Sequence, residues 1–410
     1  MQLEWCDPIE FARNYAAYDS LVFLHSSLAH ADYGTLSILA VNEKQRLTGE
    51  WEELAHALPP ANSEAPWNER WFGFMGYELG APSTQPPSSI ALPALWFAQY
   101  KTVFIFDHQQ KTLHRYGEDA PLKPAAPSKQ EAAVKMLSSN MSKAQYLNII
   151  EQTLEQIAAG EFYQANITRK FFGEFSHSPD SFSLFCKLCD ISPACYSAYL
   201  KVDGVTILSS SPECFLTLNA DGTVESRPIK GTAPRSSNPQ ELANSTKDRA
   251  ENLMIVDLMR NDLSHHCEAG SVQTHKLFEV TSYATLHHMA STITGKRRAD
   301  STSLELIRAC FPPGSMTGAP KKAVMQWCEV QERQQRGLYS GAIGWLAATG
   351  EADLSVVIRT LMIKDNLFEF QVGGGIVADS QPLSEWRETM TKAKGILASL
   401  NLSPEALKKL

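Results

Sequence analysis

Two Asp-Gly pairs that lie close together in the sequence constrain the fold of this chain more than any other feature. Both central residues of a tight hairpin turn need a positive φ angle, and Asp-Gly between alternating segments is a strong sign of such a turn. The pair Asp203-Gly204 predicts a hairpin between Tyr196–Val202 and Val205–Ser211. The pair Asp221-Gly222 predicts a second hairpin within Ser209–Arg235. The chain therefore contains an antiparallel sheet.

The second hairpin predicts a pairing of two charged residues. If its Asp-Gly pair forms a two-residue loop, Glu213 lies opposite Lys230, with Cβ atoms about 5 Å apart. A slip of one residue would place them on opposite faces, and Pro228 disturbs the ladder nearby. An exposed cross-strand ion pair is the ordinary interpretation and contributes little to stability. Gly231 favours a site, because a glycine lets a ligand approach the backbone closely.

A second group of strands is predicted near the end of the chain. Alternating hydrophobic residues indicate strands over Tyr339–Ala348, Leu354–Lys364 and Leu367–Ala378, with a turn at Asp365-Asn366. Two antiparallel groups with helical segments between and after them predict an α+β fold. Its expected architecture is two antiparallel β-sheets in a sandwich flanked by helices.

Three helices are predicted from hydrophobic residues at helical spacing. One begins after Ser142, which is a suitable N-cap, and ends at Gly160. Another covers Ser245–Leu263, and its apolar residues lie nearly all round the helix, which predicts burial. The last runs from about Pro382 to Leu400.

The N-terminal third has a different character from the rest of the chain. Residues 117–142 are rich in Pro, Ala and Ser and predict a linker between an N-terminal region, 1–116, and a larger domain, 143–405. Both parts can share a single core. The predicted strand-like runs of the first region are Leu21–His25, Gly34–Val41, Trp71–Glu78 and Leu95–Asp107.

Charge and hydrophobicity argue against several classes of protein. A net charge of −8, with acidic and basic residues interspersed, is unlike a nucleic-acid-binding or anionic-membrane-binding surface. No hydrophobic run approaches the roughly 18 residues that a spanning helix needs, and the first residues lack the features of a signal peptide. Eight irregularly spaced cysteines predict reduced thiols and a cytoplasmic location.

The segment from Pro228 to Arg235, PIKGTAPR, resembles the signature of chorismate-utilising enzymes. Lysine at its third position, Lys230, is similar to the aminodeoxychorismate synthase branch, whereas the anthranilate synthases have alanine there. The resemblance covers roughly residues 140 to 400 through several long motifs and is looser in the N-terminal third, where Trp71–Glu78 resembles a G-x-x-G-Y-E segment. It implies the same α+β fold and identifies the larger domain as a chorismate-binding catalytic domain.

The resemblance implies a Mg²⁺ site built from two pairs of acids. In AENLMIVDLMRND, the residue matching Glu251 binds Mg²⁺, and Asp248 lies one turn before it on the same helix face. Arg249 and Arg260 are alternative partners for these carboxylates. The second pair is Glu385 and Glu388, which taken alone would belong to a solvated helix face. Carboxylates that leave positions to water and substrate suit Mg²⁺.

The resemblance also implies a pocket for the carboxylates of chorismate. Arg359, expected opposite Val372, and the neighbouring glycines would hold the ring carboxylate, although a run of glycines is also typical of an irregular strand. His288 matches a histidine near the reacting ring, with His287 or a plain core histidine as alternatives. The other implied substrate contacts are Gly231, Thr232, Thr317, Lys321, Tyr339, Gly373, Gly374 and Gly375, and Pro313 departs from the usual P-G-G-S loop.

The implied reaction replaces the 4-hydroxyl of chorismate with an amino group. Glu213 would protonate the departing hydroxyl and Lys230 would attack the ring. The chain has no cysteine-centred glutaminase module, so a separate glutamine amidotransferase subunit is the expected source of ammonia. A tryptophan that the family can hold near Ser26, Tyr33 and Cys195–Ser197 is not assigned, because cysteine replaces a usual proline there.

Three other functions remain open from the sequence. An anthranilate synthase, or an isochorismate or salicylate synthase that uses water, would share the scaffold, but Lys230 argues against them. A non-catalytic chorismate or tryptophan sensor would not need the acids and the lysine that this chain retains.

Overall fold

The computed structural model describes residues 1–28, 33–58, 65–125, 132–283 and 286–409. Within these ranges the strands are β1 (Gln2–Leu3), β2 (Leu21–His25), β3 (Leu36–Thr48), β4 (Trp71–Met75), β5 (Leu95–Asp107), β6 (Thr112–Gly117), β7 (Val134–Ser139), β8 (Gln164–Phe175), β9 (Tyr196–Val202), β10 (Val205–Ser211), β11 (Cys214–Leu218), β12 (Thr223–Arg227), β13 (Ile229–Pro234), β14 (Gln273–Ser282), β15 (Leu286–Lys296), β16 (Gly318–Ala319), β17 (Ala342–Leu346), β18 (Ala352–Val356), β19 (Thr360–Lys364) and β20 (Leu367–Ile376). The helices are α1 (Pro8–Arg13), α2 (Trp51–Ala57), α3 (Lys143–Ala158), α4 (Ser181–Ile191), α5 (Pro239–Ala243), α6 (Thr246–Ser264), α7 (Ser303–Cys310), α8 (Lys321–Glu332) and α9 (Pro382–Ser399).

The α+β class with antiparallel sheets and flanking helices is confirmed. The described strands pair antiparallel and are linked into one continuous hydrogen-bonded network. The hairpin of β9 and β10 is confirmed as predicted, because Val202 pairs with Val205 and leaves a two-residue turn. Asp203 and Gly204 have φ angles of 50° and 79°, as that turn requires.

The register predicted for the second hairpin is wrong by one residue. Leu218 pairs with Val224, and Asn219 N donates to Thr223 O at 2.9 Å, so the loop has three residues. Of these, only Gly222 has a positive φ. The ladder then shifts again towards its open end, and β13 pairs with β15 instead of β11. The meeting of Glu213 and Lys230 must therefore arise from other geometry.

The predicted strand Leu354–Lys364 is two strands. β18 pairs with β17 and β11, whereas β19 pairs with β20 and β10. The chain changes partners between them, at a break where Arg359 has a φ of 51°. The turn at Asp365-Asn366 is confirmed, since Lys364 pairs with Leu367.

The three predicted helices are confirmed as α3, α6 and α9. The Ser142 side chain accepts a hydrogen bond from Gln145 N and caps α3. The predicted burial of the second helix all round is wrong, because only part of α6 is buried and Leu253 is 43% exposed. In α9, Leu383 near the first turn is 41% exposed, although its spacing from Trp386 and Met390 predicts the buried face.

Hydrophobic side chains cover both faces of the N-terminal strands. Phe23 of β2 packs in a cluster with α3, α4 and α9, whereas its neighbour Val22 packs in another cluster between strands. The first cluster also contains Phe370 of β20, so strands from both ends of the chain share a core. Part of the segment interpreted as a linker, Val134–Ser139, is β7 and pairs with β8, and residues 126–131 lie outside the described ranges.

Candidate active site

Lys230 lies in a β-bulge of β13. Ile229 pairs with Ala290 and Thr232 with His288, which leaves one residue more on β13 than on β15. Gly231 makes this possible with a φ of 88°, and a side chain there would come within 3.1 Å of Asp248. A bulge re-aims the neighbouring side chain. Lys230 Nζ accordingly donates to Ser315 O at 3.3 Å, in the loop before β16.

Glu213 contacts the same loop. It follows Pro212, is 4% exposed, and its backbone carbonyl accepts from Val356 N at 3.0 Å. Burial raises the pKa of the Glu213 carboxyl, while a hydrogen bond with Ser315 and the charge of Lys230 oppose that rise. Burial likewise lowers the pKa of Lys230, and the charges of Glu251 and Glu213 oppose that fall. Ser315 thus connects a carboxyl with a tendency to stay protonated to an amine with a tendency to lose its proton.

His288 and Arg359 lie beside this pair. His288 Nδ1 and Thr232 Oγ1 share a hydrogen bond of 2.8 Å. Burial, reinforced by the charge of Arg359, lowers the pKa of His288 to about 3, so the imidazole is neutral at pH 7. His287, the alternative, contacts Ser282 Oγ at 2.7 Å and belongs to the strand packing. His288 can therefore offer a hydrogen bond, and it is not a ready proton donor.

Three glutamates come together between α6 and α9. The charges of Glu388 and Glu385 both act on Glu251, whose pKa is raised chiefly by burial. Lys247 Nζ lies 3.7 Å from Glu251 Oε1 and 3.6 Å from Glu385 Oε1. Glu385 is buried, which corrects the interpretation of it as a solvated residue. Glu388 lies 2.8 Å from Lys392 Nζ.

The predicted convergence of four acids is not found. The Asp248 carboxylate accepts from the hydroxyl of Ser245, the N-cap of α6, so Asp248 belongs to the helix cap. Arg260 pairs with Asp257, and neither arginine proposed as an alternative pairs with Glu251. Within the described ranges, no group of three or more His, Cys, Asp or Glu side chains is arranged as a metal-binding cluster.

The remaining glutamates nevertheless fit a hard divalent cation. Glu251 and Glu385 already flank one positive charge, the Lys247 ammonium. Glu385 Oε2 is buried, and none of the described groups hydrogen-bonds to it. Mg²⁺ commonly takes only one or two protein carboxylates and completes its octahedron with water and substrate oxygens.

The three glycines of β20 are strand residues. Gly373, Gly374 and Gly375 pair with Thr168, Ile167 and Asn166 of β8 in regular register. A Cβ on Gly374 would lie 3.3 Å from Glu385 Oε2, so glycine keeps space free next to the acids. Pairing of β20 with β19 ends at Phe370, and beyond it alternate backbone N–H groups of β20 lack a strand partner in the described ranges. The expected pairing of Arg359 with Val372 is not observed, because the pairing of β19 with β20 ends at Leu361 and Phe370 and Arg359 precedes β19.

Tyr339 and Thr317 belong to two loops that lie next to Glu213 and Lys230. Tyr339 is buried, and burial raises its pKa, with Glu213 among the charges nearby. Glu78, in the segment Trp71–Glu78, accepts from Arg336 N at 2.7 Å and Gly337 N at 3.0 Å, which fixes the loop before Tyr339. The Thr317 hydroxyl donates to backbone carbonyls of its own loop.

Lys321 does not join the site. Its Nζ donates to Asp262 Oδ2 at 2.7 Å and to Cys310 O at 2.8 Å. These partners lie on α6 and at the end of α7, and the ammonium of Lys321 donates hydrogen bonds to both of them. We therefore reassign Lys321 from substrate contact to a link between helices.

Two residues of the site were missed in the sequence. Ser315 was identified only as the end of the Pro312–Ser315 loop, although it contacts both Glu213 and Lys230. Lys392 donates to Gly373 O at 2.8 Å and to Glu388, and its charge helps lower the pKa of Lys230. Its position four residues after Glu388 on one helix was the available signal.

A buried ion pair holds the loops of the site together. Arg336 is 2% exposed and binds Glu332 through two hydrogen bonds of 2.7 and 2.8 Å. Its guanidinium also donates to Met316 O and to Asn166 O, each at 2.8 Å. Met316 precedes Thr317, and Asn166 is opposite Gly375, so one arginine joins the loop to the strand beneath the glycines.

We expect Arg336→Met to lower the free energy of unfolding by about 3–5 kcal/mol, because it leaves the Glu332 carboxylate buried without its partner. Arg260→Met is the matched control. It breaks the exposed pair with Asp257 and should cost about 0–1 kcal/mol. Urea unfolding of both variants measures the difference, and equal losses would contradict the role given to the buried pair.

A cavity of about 380 Å³ lies next to residues for which the sequence resemblance implied a tryptophan site. Its lining includes Tyr33, Cys195 and Ser197, named in the sequence for that ligand, together with His25 and Asp353. No ligand is assigned to it.

Comparison with known proteins identifies the family of the chain. Residues 22–398 match the family described as chorismate binding enzyme. The chain is 37% identical over 365 residues to aminodeoxychorismate synthase component 1 of Escherichia coli K12, which covers 84% of this chain and 80% of that protein. It is 38% identical to aminodeoxychorismate synthase of Streptomyces pristinaespiralis over 86% of this chain, but it spans only 53% of that longer protein.

Solved structures show the same fold. Anthranilate synthase component I of Streptococcus pneumoniae TIGR4 matches 89% of this chain and 92% of its own, with a TM-score of 0.78 and 24% identity. The menaquinone-specific isochorismate synthase of Escherichia coli matches 98% of this chain and 93% of its own, with a TM-score of 0.79 and 16% identity. The match over residues 22–398 covers most of the sequence, and the chain belongs to the chorismate-binding enzyme family.

Proposed function

We propose that the chain replaces the 4-hydroxyl of chorismate with an amino group to give 4-amino-4-deoxychorismate, on the route to 4-aminobenzoate and folate. The observation that carries the proposal is Ser315, which contacts a buried carboxyl and a bulge-positioned lysine at once. Relatives named aminodeoxychorismate synthase support the same reaction.

The first step forms a bond between Lys230 and the ring. The neutral amine donates its electron pair to C2, the ring double bonds shift, and the bond between C4 and oxygen breaks. Hydroxide is a poor leaving group, so Glu213 transfers its proton and the oxygen departs as water. The proton from the alkylated amine leaves to a base or to solvent.

The second step reverses the first with a different nucleophile. Ammonia adds at C4, the double bonds shift back, and the C2–N bond to Lys230 breaks. Lysine leaves with a proton, and the product carries an amino group where the hydroxyl was. Arg359 and the backbone N–H groups of Gly373–Gly375 would hold the ring carboxylate throughout.

The rate should depend on pH in a bell shape. With ordinary pKa values of about 4.3 and about 10.4, Glu213 protonated and Lys230 neutral would coexist in roughly one molecule in 10⁶. The raised pKa of Glu213 and the lowered pKa of Lys230 reduce the difference between the two pKa values. Each reduction of that difference by one makes the form with protonated Glu213 and neutral Lys230 tenfold more common.

The fraction of molecules with protonated Glu213 and neutral Lys230 decreases below the folded pKa of Glu213, because lower pH makes neutral Lys230 rarer. The fraction also decreases above the folded pKa of Lys230, because higher pH makes protonated Glu213 rarer. We therefore expect an acid limb above about pH 4.3 and an alkaline limb below about pH 10.4. Mass spectrometry of the Lys230 adduct, formed without ammonia, measures this rate without interference from the titration of ammonia. A rate that rises to a plateau above pH 10.4 would contradict Glu213 as the acid.

We propose that Glu251 and Glu388 hold Mg²⁺, with Glu385 beside them. When bound, the ion would neutralise a substrate carboxylate and fix the orientation of the ring. The buried Oε2 of Glu385, which has no hydrogen-bond partner among the described groups, and the position of the Lys247 ammonium near Glu251 and Glu385 both support a cation at this place.

We expect Glu251→Gln or Glu388→Gln to abolish activity at limiting Mg²⁺ without unfolding the protein, because each removes a carboxylate charge from the metal site. Asp257→Asn, on the exposed side of α6, is the matched control and should behave like the wild type. Calorimetric titration with Mg²⁺ and turnover give two readouts. Wild-type turnover by Glu251→Gln at limiting Mg²⁺ would remove Glu251 from the site.

Ammonia is proposed to come from a glutamine amidotransferase subunit. The name component 1, given to the Escherichia coli relative, supports a partner component. A cytoplasmic location is part of the proposal and is supported by eight free thiols. Within the described ranges no helix combines the length and apolarity needed to cross a membrane.

The test of the function is turnover of chorismate with Mg²⁺ and ammonium chloride, followed by the mass of the product. An amino group in place of a hydroxyl supports the proposal, whereas isochorismate, salicylate or anthranilate would contradict it. Binding without turnover would favour a sensor. Glutamine alone should give no product until an amidotransferase is added, and glutamine-dependent turnover by the purified chain would contradict the two-subunit arrangement.

A further inference from the structure

Tyr283, which follows β14, packs against His288 of the candidate active site. The ring centroids lie 5.8 Å apart and the planes meet at 68°, which is an edge-to-face contact. His288 also shares its 2.8 Å hydrogen bond with Thr232 Oγ1 and hydrogen-bonds to the backbone of Gly231. These two polar contacts both come from β13, whereas the Tyr283 ring contacts the imidazole from outside that strand.

Tyr33, in the N-terminal region, is bonded to Tyr283. The two phenol hydroxyls share a hydrogen bond. Burial raises the pKa of both phenols, so each keeps its proton at pH 7 and one donates to the other. The guanidinium carbon of Arg227 lies 4.3 Å from the centre of the Tyr33 ring, a cation–π contact. A chain of contacts therefore runs from Arg227 on β12 through Tyr33 and Tyr283 to His288.

A cavity of about 30 Å³ lies beside this chain of contacts. Tyr33, Arg227, Tyr283 and His288 all line it. A space of this size is large enough for water, so close packing does not fix the imidazole on the side of the cavity. The contact with the Tyr283 ring therefore matters for the tilt of the imidazole.

We propose that Tyr283 is a positioning residue that fixes the orientation of His288, and that Tyr33 holds Tyr283 in place. The proposal rests on the proposed function for the action of His288 on chorismate. An imidazole that offers a hydrogen bond to a bound ring must keep its orientation, because a displacement of about 1 Å can cost about 10²-fold in rate. The N-terminal region would thus contribute to the site through one tyrosine.

Two substitutions separate the ring of Tyr283 from its hydroxyl. Tyr283→Leu removes both, and we expect kcat/KM for the consumption of chorismate to fall about 10- to 100-fold at saturating Mg²⁺ and ammonium chloride. Tyr283→Phe keeps the ring contact and should cost about two- to tenfold, because only the hydrogen bond to Tyr33 is lost. Tyr116→Leu on β6, a partly buried tyrosine packed against another cluster, is the matched control. It should lower the unfolding temperature and leave kcat/KM unchanged.

A double-mutant cycle with His288 tests whether Tyr283 acts through the imidazole. In a His288→Asn background the imidazole is absent, so Tyr283→Leu and Tyr283→Phe should each cause less than about a twofold further loss of kcat/KM. Tyr33→Phe should follow the same pattern, with a loss of about two- to tenfold when His288 is present. A tyrosine that only stabilises the fold would lower kcat/KM by the same factor in both backgrounds.

Equal losses in the two backgrounds would overturn the proposal, and so would wild-type kcat/KM in Tyr283→Leu. The mass of the product tests the proposed function separately. If the wild type consumes chorismate but forms no amino product, only the proposed function fails, and the cycle measured on that consumption still decides the role of Tyr283. A wild type that neither binds nor consumes chorismate would overturn both.

Discussion

Lys230→Ala is expected to lower the rate of amination by on the order of 10⁴-fold, because the variant lacks the proposed nucleophile. Lys230→Arg should not restore it, since a guanidinium stays protonated and cannot donate an electron pair. The measurement is turnover at saturating Mg²⁺ and ammonium chloride. Lys296→Ala, which removes an exposed lysine paired with Asp221, is the control and should retain wild-type turnover.

The structure gives a reason for the size of this effect. Lys230 lies in the β-bulge between Ile229 and Thr232, and its ammonium donates a hydrogen bond to Ser315 O. Burial lowers its pKa, and Lys392 contributes to the fall. A lysine that only bound a carboxylate would need to stay protonated, and a raised pKa would favour that state. Turnover within tenfold of wild type by Lys230→Ala would show that ammonia attacks chorismate directly.

Glu213→Gln is expected to reduce turnover by about 10²- to 10⁴-fold, the range found for loss of a positioned general acid. Glutamine keeps the shape and can keep the contact with Ser315, but it has no proton to give to the departing hydroxyl. Glu279→Gln on β14, about half exposed, is the control. The rate of adduct formation on Lys230 should fall by the same factor as turnover. A loss in turnover without a loss in adduct formation would place Glu213 in the ammonia step.

The register of a turn could be predicted from the sequence where the turn residues alone determine its geometry. The turns at Asp203-Gly204 and Asp365-Asn366 have the predicted register. The turn at Asp221-Gly222 uses one more residue, because Ala220 joins the loop and Gly222 alone takes the positive φ. Loop length decides register, and several loops accommodate an Asp-Gly pair.

The meeting of the proposed catalytic residues depends on long-range pairing. Lys230 and Glu213 come to the same loop although β13 pairs with β15 and not with β11. No local sequence signal indicates this choice of partner. β8, which pairs with β7, β16 and β20, was not predicted at all. Motif resemblance identified Glu213 and Lys230 without the correct register, whereas the structure supplied Ser315 and Lys392.

Side-chain environment was the least predictable property. Glu385 lies off the apolar stripe of its helix and is nevertheless buried, because α9 packs against β20 on that side as well. Lys321 lies in a motif shared with the family and yet faces Asp262. Hydrophobic periodicity locates a helix, but the neighbours that surround its polar residues come from other parts of the chain.

The central claim is that Lys230 bonds to the substrate, and the most direct test is the mass of the peptide that contains it. The protein is mixed with chorismate and Mg²⁺ without ammonia, denatured, digested and analysed by mass spectrometry. We predict an added mass equal to chorismate less one water on the Lys230 peptide, absent from Lys230→Ala and formed about 10²- to 10⁴-fold more slowly by Glu213→Gln. An unmodified Lys230 peptide, together with near-normal turnover by Lys230→Ala, would contradict the covalent mechanism.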